Sequence, residues 1–346
     1  MTDTAATPTA LPRETQRLDW ARHAANDRQL GLARASADAG FRSYWRTTGA
    51  EPSRIVMDSP PDKEDVKPWL RIRALLEGNG VRVPHLLAED TEHGFLLLED
   101  LGPDTYLHVL HADNADALFA DAITQLLRIQ ATPVPDAMPP YDEALLLREL
   151  RLFDEWYLGK HLAIVLDFDD QQALERTHRV LVDAALVQPQ VFVHRDFMPR
   201  NLMPAADGPA VLDFQDAVKG PIAYDPLCLF KDAFVSWPQD RVDAWLDGYH
   251  ARAVEAGLPV PPLERFRRDV DLIGVHRHLK VIGIFARLHH RDNKQHYLED
   301  APRFIAYLDH VLPKYPELAP LAALIERRVK PTLVEYAHWT DGTGDE

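Results

Sequence analysis

The stretch VFVHRDFMPRNL, residues 191–202, limits the possible folds more than any other part of the chain. Val191, Phe192 and Val193 read as a buried strand. The chain then sets His194, Arg195 and Asp196 side by side, and Asn201 follows before the sequence turns apolar again. Leu202–Pro204 and AVLDF, residues 210–214, read as two further short strands, the second ending in Asp213-Phe214-Gln215. A single charged triplet is usually a solvated surface loop. Strand, triplet, amide, strand and second acid in this order argue instead for a built site, which needs a rigid and mostly buried frame.

The rest of the chain supplies that frame in two textures. Arg13 to about Leu30 reads as a helix. Residues 32–49 read as strand, tight turn at Ala37–Gly40, strand, and RIVMD, residues 54–58, as a third strand ended by Pro60 and Pro61. Residues 63–80 form a helix with Leu70, Ile72, Leu75 and Leu76 on its apolar face. Residues 83–102 give two strands joined by a polar turn. After Gly102 the pattern becomes helical: residues 112–130 with Asp113 as N-cap candidate, then 141–160, 168–187, and everything from about 226 onward. The expectation is an α+β, bilobal fold. Residues 1–101 form a small antiparallel-sheet lobe, with 1–12 disordered, and 102–346 a larger, mainly helical lobe. A cleft between two lobes is the expected ligand site.

Composition narrows the partners. The net charge of −16 opposes binding to nucleic acid or anionic lipid. It leaves room for a small anion in a local basic pocket. No apolar run approaches the length needed to cross a bilayer, and the N-terminus lacks the apolar core of a secretory signal. Cys228 is the single cysteine. It excludes an internal disulfide and fits a reducing cytoplasm.

His194-Arg195-Asp196 with Asn201 matches H-R-D-x-x-x-x-N, and Asp213-Phe214-Gln215 is close to D-F-G, the catalytic loop and metal motif of protein-kinase-like enzymes. Phosphoryl transfer needs an aligned hydroxyl and neutralised charge rather than covalent help. Asp196 would accept the hydroxyl proton. Asn201 and Asp213 supply hard oxygen ligands suited to Mg²⁺. Glu99-Asp100-Leu101-Gly102 sits where hinge backbone at Glu99 and Leu101 would meet adenine. Residues 36–40 sit where a phosphate-covering hairpin belongs, with Gly40 its one glycine. Asp225 would brace the catalytic loop, and Asp216 lies just past the metal motif, where it would hydrogen-bond an acceptor or else face solvent. In RHLKVIGIFARLHHRD, residues 277–292, Arg277, Lys280, Arg287 and Arg291 fall near one helical face. Such a stripe is usually solvated; beside a cleft it would hold an anionic group. The histidines near it, His276, His278, His289 and His290, read as surface or hydrogen-bonding residues.

HRDFMPRNL, VLDFQDAVKGPIAYDP and FLLLEDLG resemble the aminoglycoside phosphotransferase superfamily. ADNADALFADAI, CLFKDAF and the 277–292 helix extend the likeness to its N-acetylmuramate/N-acetylglucosamine anomeric kinases, over about residues 36–310. The resemblance implies ATP, Mg²⁺ and a free amino sugar phosphorylated at C1 to the α-1-phosphate, in peptidoglycan recycling toward UDP-N-acetylmuramate. The lactyl carboxylate of N-acetylmuramate would give the basic helix something to grip. Alternatives are another small-molecule kinase of the superfamily or a catalytically silent nucleotide-binding regulator. One departure stands out: the third strand lacks the lysine that such folds pair with the α/β-phosphates. Arg54, Lys63 and Lys67 are the nearby substitutes.

Overall fold

The computed structural model describes residues 11–37, 41–49 and 51–333. Helix α1 (Arg13–Ala24) precedes a five-stranded antiparallel sheet of β1 (Gly31–Ala37), β2 (Ser43–Thr48), β3 (Arg54–Asp58), β4 (Leu86–Asp90) and β5 (Phe95–Glu99), in spatial order β1-β2-β3-β5-β4. Helix α2 (Lys67–Gly78) is inserted after the third strand. α1 is shorter than the sequence pattern suggests. Asn26 takes a left-handed backbone, φ 53°, and closes the helix before Leu30.

Alternation along the strands divides the sheet into two faces. Val56 and Leu97 turn toward Ala21 and Leu30 and form a small core beneath α1. Met57, Leu96 and Leu98 turn the other way, into the main core with Trp69, Ile72 and Leu76 of α2. Asp58 shares the α1 face. It is buried and accepts bonds from Arg13 (2.6 Å) and Arg17 (2.8 Å). One strand-end carboxylate thus pins the first helix to the sheet.

The C-terminal region is helical: α3 (Tyr106–Val109), α4 (Ala115–Ala131), α5 (Glu143–Leu152), α6 (Phe168–Leu186), then α7 (Tyr224–Phe230), α8 (Gln239–Glu255), α9 (Leu263–Asp292), α10 (Ala301–Val311) and α11 (Ala319–Leu324). Asn114, not Asp113, precedes α4, and its side chain accepts from His111 rather than capping the helix. Two antiparallel ribbons are set among these helices. β6 (Gln190–Val193) pairs with β9 (Val218–Pro221), and β7 (Leu202–Met203) with β8 (Ala210–Val211). The sequence pattern hides β9, because a four-residue VKGP strand carries both a glycine and a proline.

α9 is the central post. It packs on α5, α6, α7 and α10 and on a π-helical run, Phe153–His161, that continues α5. The contact is close because of Gly283. A Cβ there would lie 2.3 Å from the Leu152 carbonyl carbon and 2.5 Å from the Phe153 nitrogen, both backbone atoms that cannot swing away. Gly283→Ala should therefore destabilise the protein by about 3 kcal/mol or prevent folding, at the upper end of overpacking costs. Urea denaturation measures this, and a near-neutral result would mean that α9 can shift without penalty.

Candidate active site

β6 delivers the chain into a tightly held loop. The N–H groups of His194 and Arg195 donate to the two carboxylate oxygens of Asp225, at 2.7 and 2.9 Å. Asp225 is fully buried in the first turn of α7. Burial pushes its carboxyl up to about 7, and the two N–H bonds oppose that rise. His194 Nε2 donates to the Leu212 carbonyl (2.9 Å), while its Nδ1 accepts the Asp196 N–H (3.3 Å). That tautomer is neutral, and burial lowers the imidazole to about 4. Arg195 and Asp213 adopt left-handed backbone, φ 78° and 62°, which is uncommon for residues bearing a Cβ.

Asn201 Nδ2 donates to the Asp196 carbonyl at 2.9 Å, which fixes the amide orientation and leaves Oδ1 as the atom to offer elsewhere. The Leu212 N–H returns to the Asn201 carbonyl, also 2.9 Å. Asp213 Oδ1 accepts from Gln215 Nε2 at 2.7 Å. Phe214, buried, packs against Trp69 of α2 with ring centroids 5.2 Å apart. The 194–201 and 212–215 loops are thus stitched into one floor.

A cavity of about 330 Å³ opens between this floor and the sheet. Asn201, Asp213, Arg200 and Leu212 line it from below, Ile55 and Leu98 from the sheet, and Glu99 to Pro103 from the connecting segment. The Glu99 N–H is spent on the His85 carbonyl (2.9 Å), so what its backbone can offer a ligand is the carbonyl. Its carboxylate is engaged by Arg82 at 2.6 Å, which holds it below its usual range against the effect of burial. Gly40 lies outside the described residues.

None of the substitutes considered for the missing lysine lines this cavity. Arg54 alternates with Ile55 and so belongs to the opposite face of β3. Lys63 is exposed beside Asp62, and Lys67 is exposed at the start of α2. The sheet cation at the cavity is Arg46 on β2, in register with Ile55. It pairs with Asp100 through two bonds of 2.6 and 3.0 Å and donates to the Gly102 carbonyl (2.8 Å). Pattern reading passed over it because the expected cation belongs on the third strand.

The basic stripe of α9 is solvated only at its C-terminal end, where Arg287 is half-buried and Arg291 exposed. Arg277 and Lys280 are buried. Lys280 Nζ lies 2.9 Å from Glu149 and 3.1 Å from the Tyr224 hydroxyl. Arg277 has a buried Nη1 with no partner among the described residues, as does Asp232 at Oδ1. Burial disfavours the Arg277 charge, but Cys228, Tyr224, Asp196 and Asp232 around it outweigh that and raise its pKa. Arg287 lies further along α9, with Arg291 near it, and Arg291 itself pairs with Asp292. Asp216 is exposed, and its carbonyl accepts from Arg195 (3.4 Å). His276 and His278 are buried rather than superficial. Glu149 was invisible to pattern reading, since a single acid in an amphipathic helix looks like a solvated one. Here it is buried and binds Arg195 at 2.6 Å.

Residues 31–265 match the phosphotransferase enzyme family. The chain belongs to this family. It is 54% identical over 295 residues to the N-acetylmuramate/N-acetylglucosamine kinase of Pseudomonas putida, covering 85% of this chain and 87% of that one. It is 42% identical over 321 residues to the kinase of the same name from Neisseria meningitidis, covering 91% and 96%. An ADP-bound aminoglycoside phosphotransferase shares the fold, with a TM-score of 0.57 at 17% identity over 84% of this chain and 97% of that one. No helix among the described residues is long and apolar enough to cross a membrane.

The buried histidines give the protein a pH dependence. His276, like His194, is lowered by burial to about 4, and its Nε2 donates to the Leu146 carbonyl. Once unfolded, each takes up its proton near the ordinary value of about 6.5. Unfolding therefore binds protons between the two values. The stabilisation is full above pH 6.5 and is lost as pH falls toward 4, by up to about 3 kcal/mol per histidine. The Asp225 carboxyl, raised to about 7, contributes with the opposite sign over the same window, so the histidine effect is read by comparing wild type with His276→Asn. The wild-type urea midpoint should fall more steeply as pH drops from 6.5 to 4, and parallel curves would mean that His276 protonates in the fold as it does unfolded.

Proposed function

We propose that this protein transfers the γ-phosphoryl group of ATP to the C1 hydroxyl of N-acetylmuramate and N-acetylglucosamine, giving the α-1-phosphate, in the cytoplasm and in the service of cell-wall recycling. The observation that carries this reading is the convergence of Asn201 and Asp213 on one cavity with the Glu99–Pro103 segment. The names of the relatives support the choice of sugar.

Glu99 and Leu101 would receive the adenine edge by their backbone, at the sheet end of the cavity. Asn201 Oδ1 and the Asp213 carboxylate are hard oxygen donors that fit Mg²⁺. Among the described residues no three His, Cys, Asp or Glu side chains are grouped to hold a metal alone. A divalent ion here would draw its other ligands from nucleotide phosphates and water, and when bound it neutralises charge on the transferring group. Arg46 and Arg200 add positive charge along the same walls. Asp196, tethered by Asn201 and His194, would accept the acceptor's proton as the sugar oxygen bonds to phosphorus and the bond to the ADP oxygen breaks. A hemiacetal hydroxyl is more acidic than an ordinary alcohol, so one carboxylate suffices as base. Arg277, whose buried Nη1 has no partner among the described residues and lies in the field of Asp196, would hold the lactyl carboxylate of N-acetylmuramate. Asp216 remains a candidate for an acceptor hydroxyl at the exposed edge. Lys280, already engaged, and Arg287, further along α9, are less well placed for the sugar.

Phosphorus NMR of the product should show an α-1-phosphate, and the methyl glycoside of N-acetylglucosamine should be inert; phosphorylation of the blocked sugar would refute the C1 assignment. Asp196→Asn should lower kcat by about 10²–10⁴-fold while ADP binding persists, as expected for loss of a general base. A variant with near wild-type turnover would remove Asp196 from that role. Arg277→Lys should weaken N-acetylmuramate roughly tenfold and spare N-acetylglucosamine, as loss of a charge-assisted bond predicts. Equal effects on both sugars, read as KM, would detach Arg277 from the lactyl group.

A further inference from the structure

We propose that Glu149 is a positioning residue, which sets the aim of Asp196 by clamping Arg195 in its left-handed backbone. The inference rests on reading Asp196 as the base.

Glu149 is on α5, far in sequence from both loops of the site, and it is buried. Its Oε1 receives Arg195 Nη2 at 2.6 Å and Lys280 Nζ at 2.9 Å, and its Oε2 accepts the Tyr141 hydroxyl. Arg195 is also held over the Tyr141 ring, 5.6 Å from its centroid, and its Nη1 reaches the Asp216 carbonyl. Lys280 is fixed in turn by the Tyr224 hydroxyl. The clamp therefore spans α5, α7 and α9 and grips one residue between them.

That residue is the one whose backbone needs gripping. Arg195 has φ 78°, a conformation residues with a Cβ avoid. Asp196 follows it directly, so relaxation of Arg195 toward negative φ would swing the Asp196 carboxylate away from its place. Asp225 holds the N–H of Arg195 but not its side chain. The Arg195 carbonyl accepts a weak bond from the Cys228 thiol (3.5 Å), so the guanidinium is the remaining strong handle, and Glu149 is the carboxylate on it. A buried ion triad contributes little net stability relative to an apolar packing. What it supplies is a fixed direction for the loop, and it also ties the 195 backbone to the 213–216 loop through the Asp216 carbonyl.

The test separates aim from charge burial. Glu149→Gln leaves Lys280 buried without a counter-charge, so thermal stability should fall. The double variant Glu149→Gln with Lys280→Met removes that stranded charge and leaves only the less buried Arg195 without its carboxylate, so stability should recover in part. If Glu149 sets the aim of Asp196, kcat stays about 100-fold down in both, because small misplacement of a catalytic group costs on that order. KM for ATP and for the acceptor should move less than roughly threefold, since ground-state binding is untouched. Glu149→Asp, which keeps the charge on a shorter arm, should restore part of kcat. Recovery of kcat together with Tm in the double variant would overturn the proposal. So would wild-type kcat in any Glu149→Gln protein, or an effect confined to KM. Should the single variant fail to fold, the double variant alone decides. Turnover is measured on whichever sugar the wild type phosphorylates fastest, so an error in the choice of substrate and an error about the clamp show up separately.

Discussion

Two backbone N–H groups sharing one buried carboxylate hold the site in register. Asp225 belongs to a helix whose every residue is buried, so it cannot drift. It takes hold of the chain at His194 and Arg195, where β6 ends and the backbone turns left-handed. From that anchor the His194 ring acts as a spacer. One nitrogen donates to the residue before Asp213, and the other receives the N–H of Asp196. The separation between the two acidic loops is therefore set by the width of one imidazole. A protonated ring would lose its acceptor and with it the bond to Asp196, which is why burial that keeps His194 neutral belongs to the architecture of the site.

The sheet shows how period-two geometry redistributes chemistry. On β3, residues 54, 56 and 58 face α1, while 55 and 57 face the cavity and the main core. The positions facing inward are Ile55 and Met57, so no charge can reach the cavity from this strand. Asp58 and its arginines serve the other face and attach α1. The cation moves one strand over, to Arg46, opposite Ile55 in register. There it is tied to Asp100, which also accepts from Ser53 and from the Gly102 N–H. Arg46 thus couples the sheet wall to the segment joining sheet and helices, and its charge is partly spent before any phosphate arrives.

The fold was legible where the residue pattern is local. β3 runs over Arg54–Asp58 as RIVMD suggests, and the helices on either side of β6 follow their apolar periods. The convergence of Asn201 and Asp213 was legible too, because motif order and spacing encode which loops meet. What stayed hidden depended on tertiary contact. β9 is a strand only because β6 gives it a partner. Lys280 and Arg277 look like a solvated stripe on a helical wheel, yet the middle of α9 is surrounded, and there its polar residues are buried among other elements instead of facing water. Glu149 illustrates the same limit from the acid side. Its meaning comes from Arg195 and Lys280, 46 residues away along the chain in the first case, and no local signal marks it.

Charge placement resolves the tension between an acidic protein and a phosphate-handling site. The chain as a whole carries −16, but its interior near the catalytic loop is arranged differently. Arg195, Lys280 and Arg277 are all buried or nearly so and permanently cationic, and Glu149 neutralises only one unit of that charge. Lys280, followed by His276 and Arg195, overcomes the burial that would raise the Glu149 carboxyl and holds it at about 2. Burial pushes the Asp225 and Asp232 carboxyls upward, against the backbone N–H bonds that each accepts. In water-poor surroundings such fixed charges act more strongly than exposed ones, because little solvent screens them. The surface acids set solubility, while a desolvated positive excess lies behind Asp196.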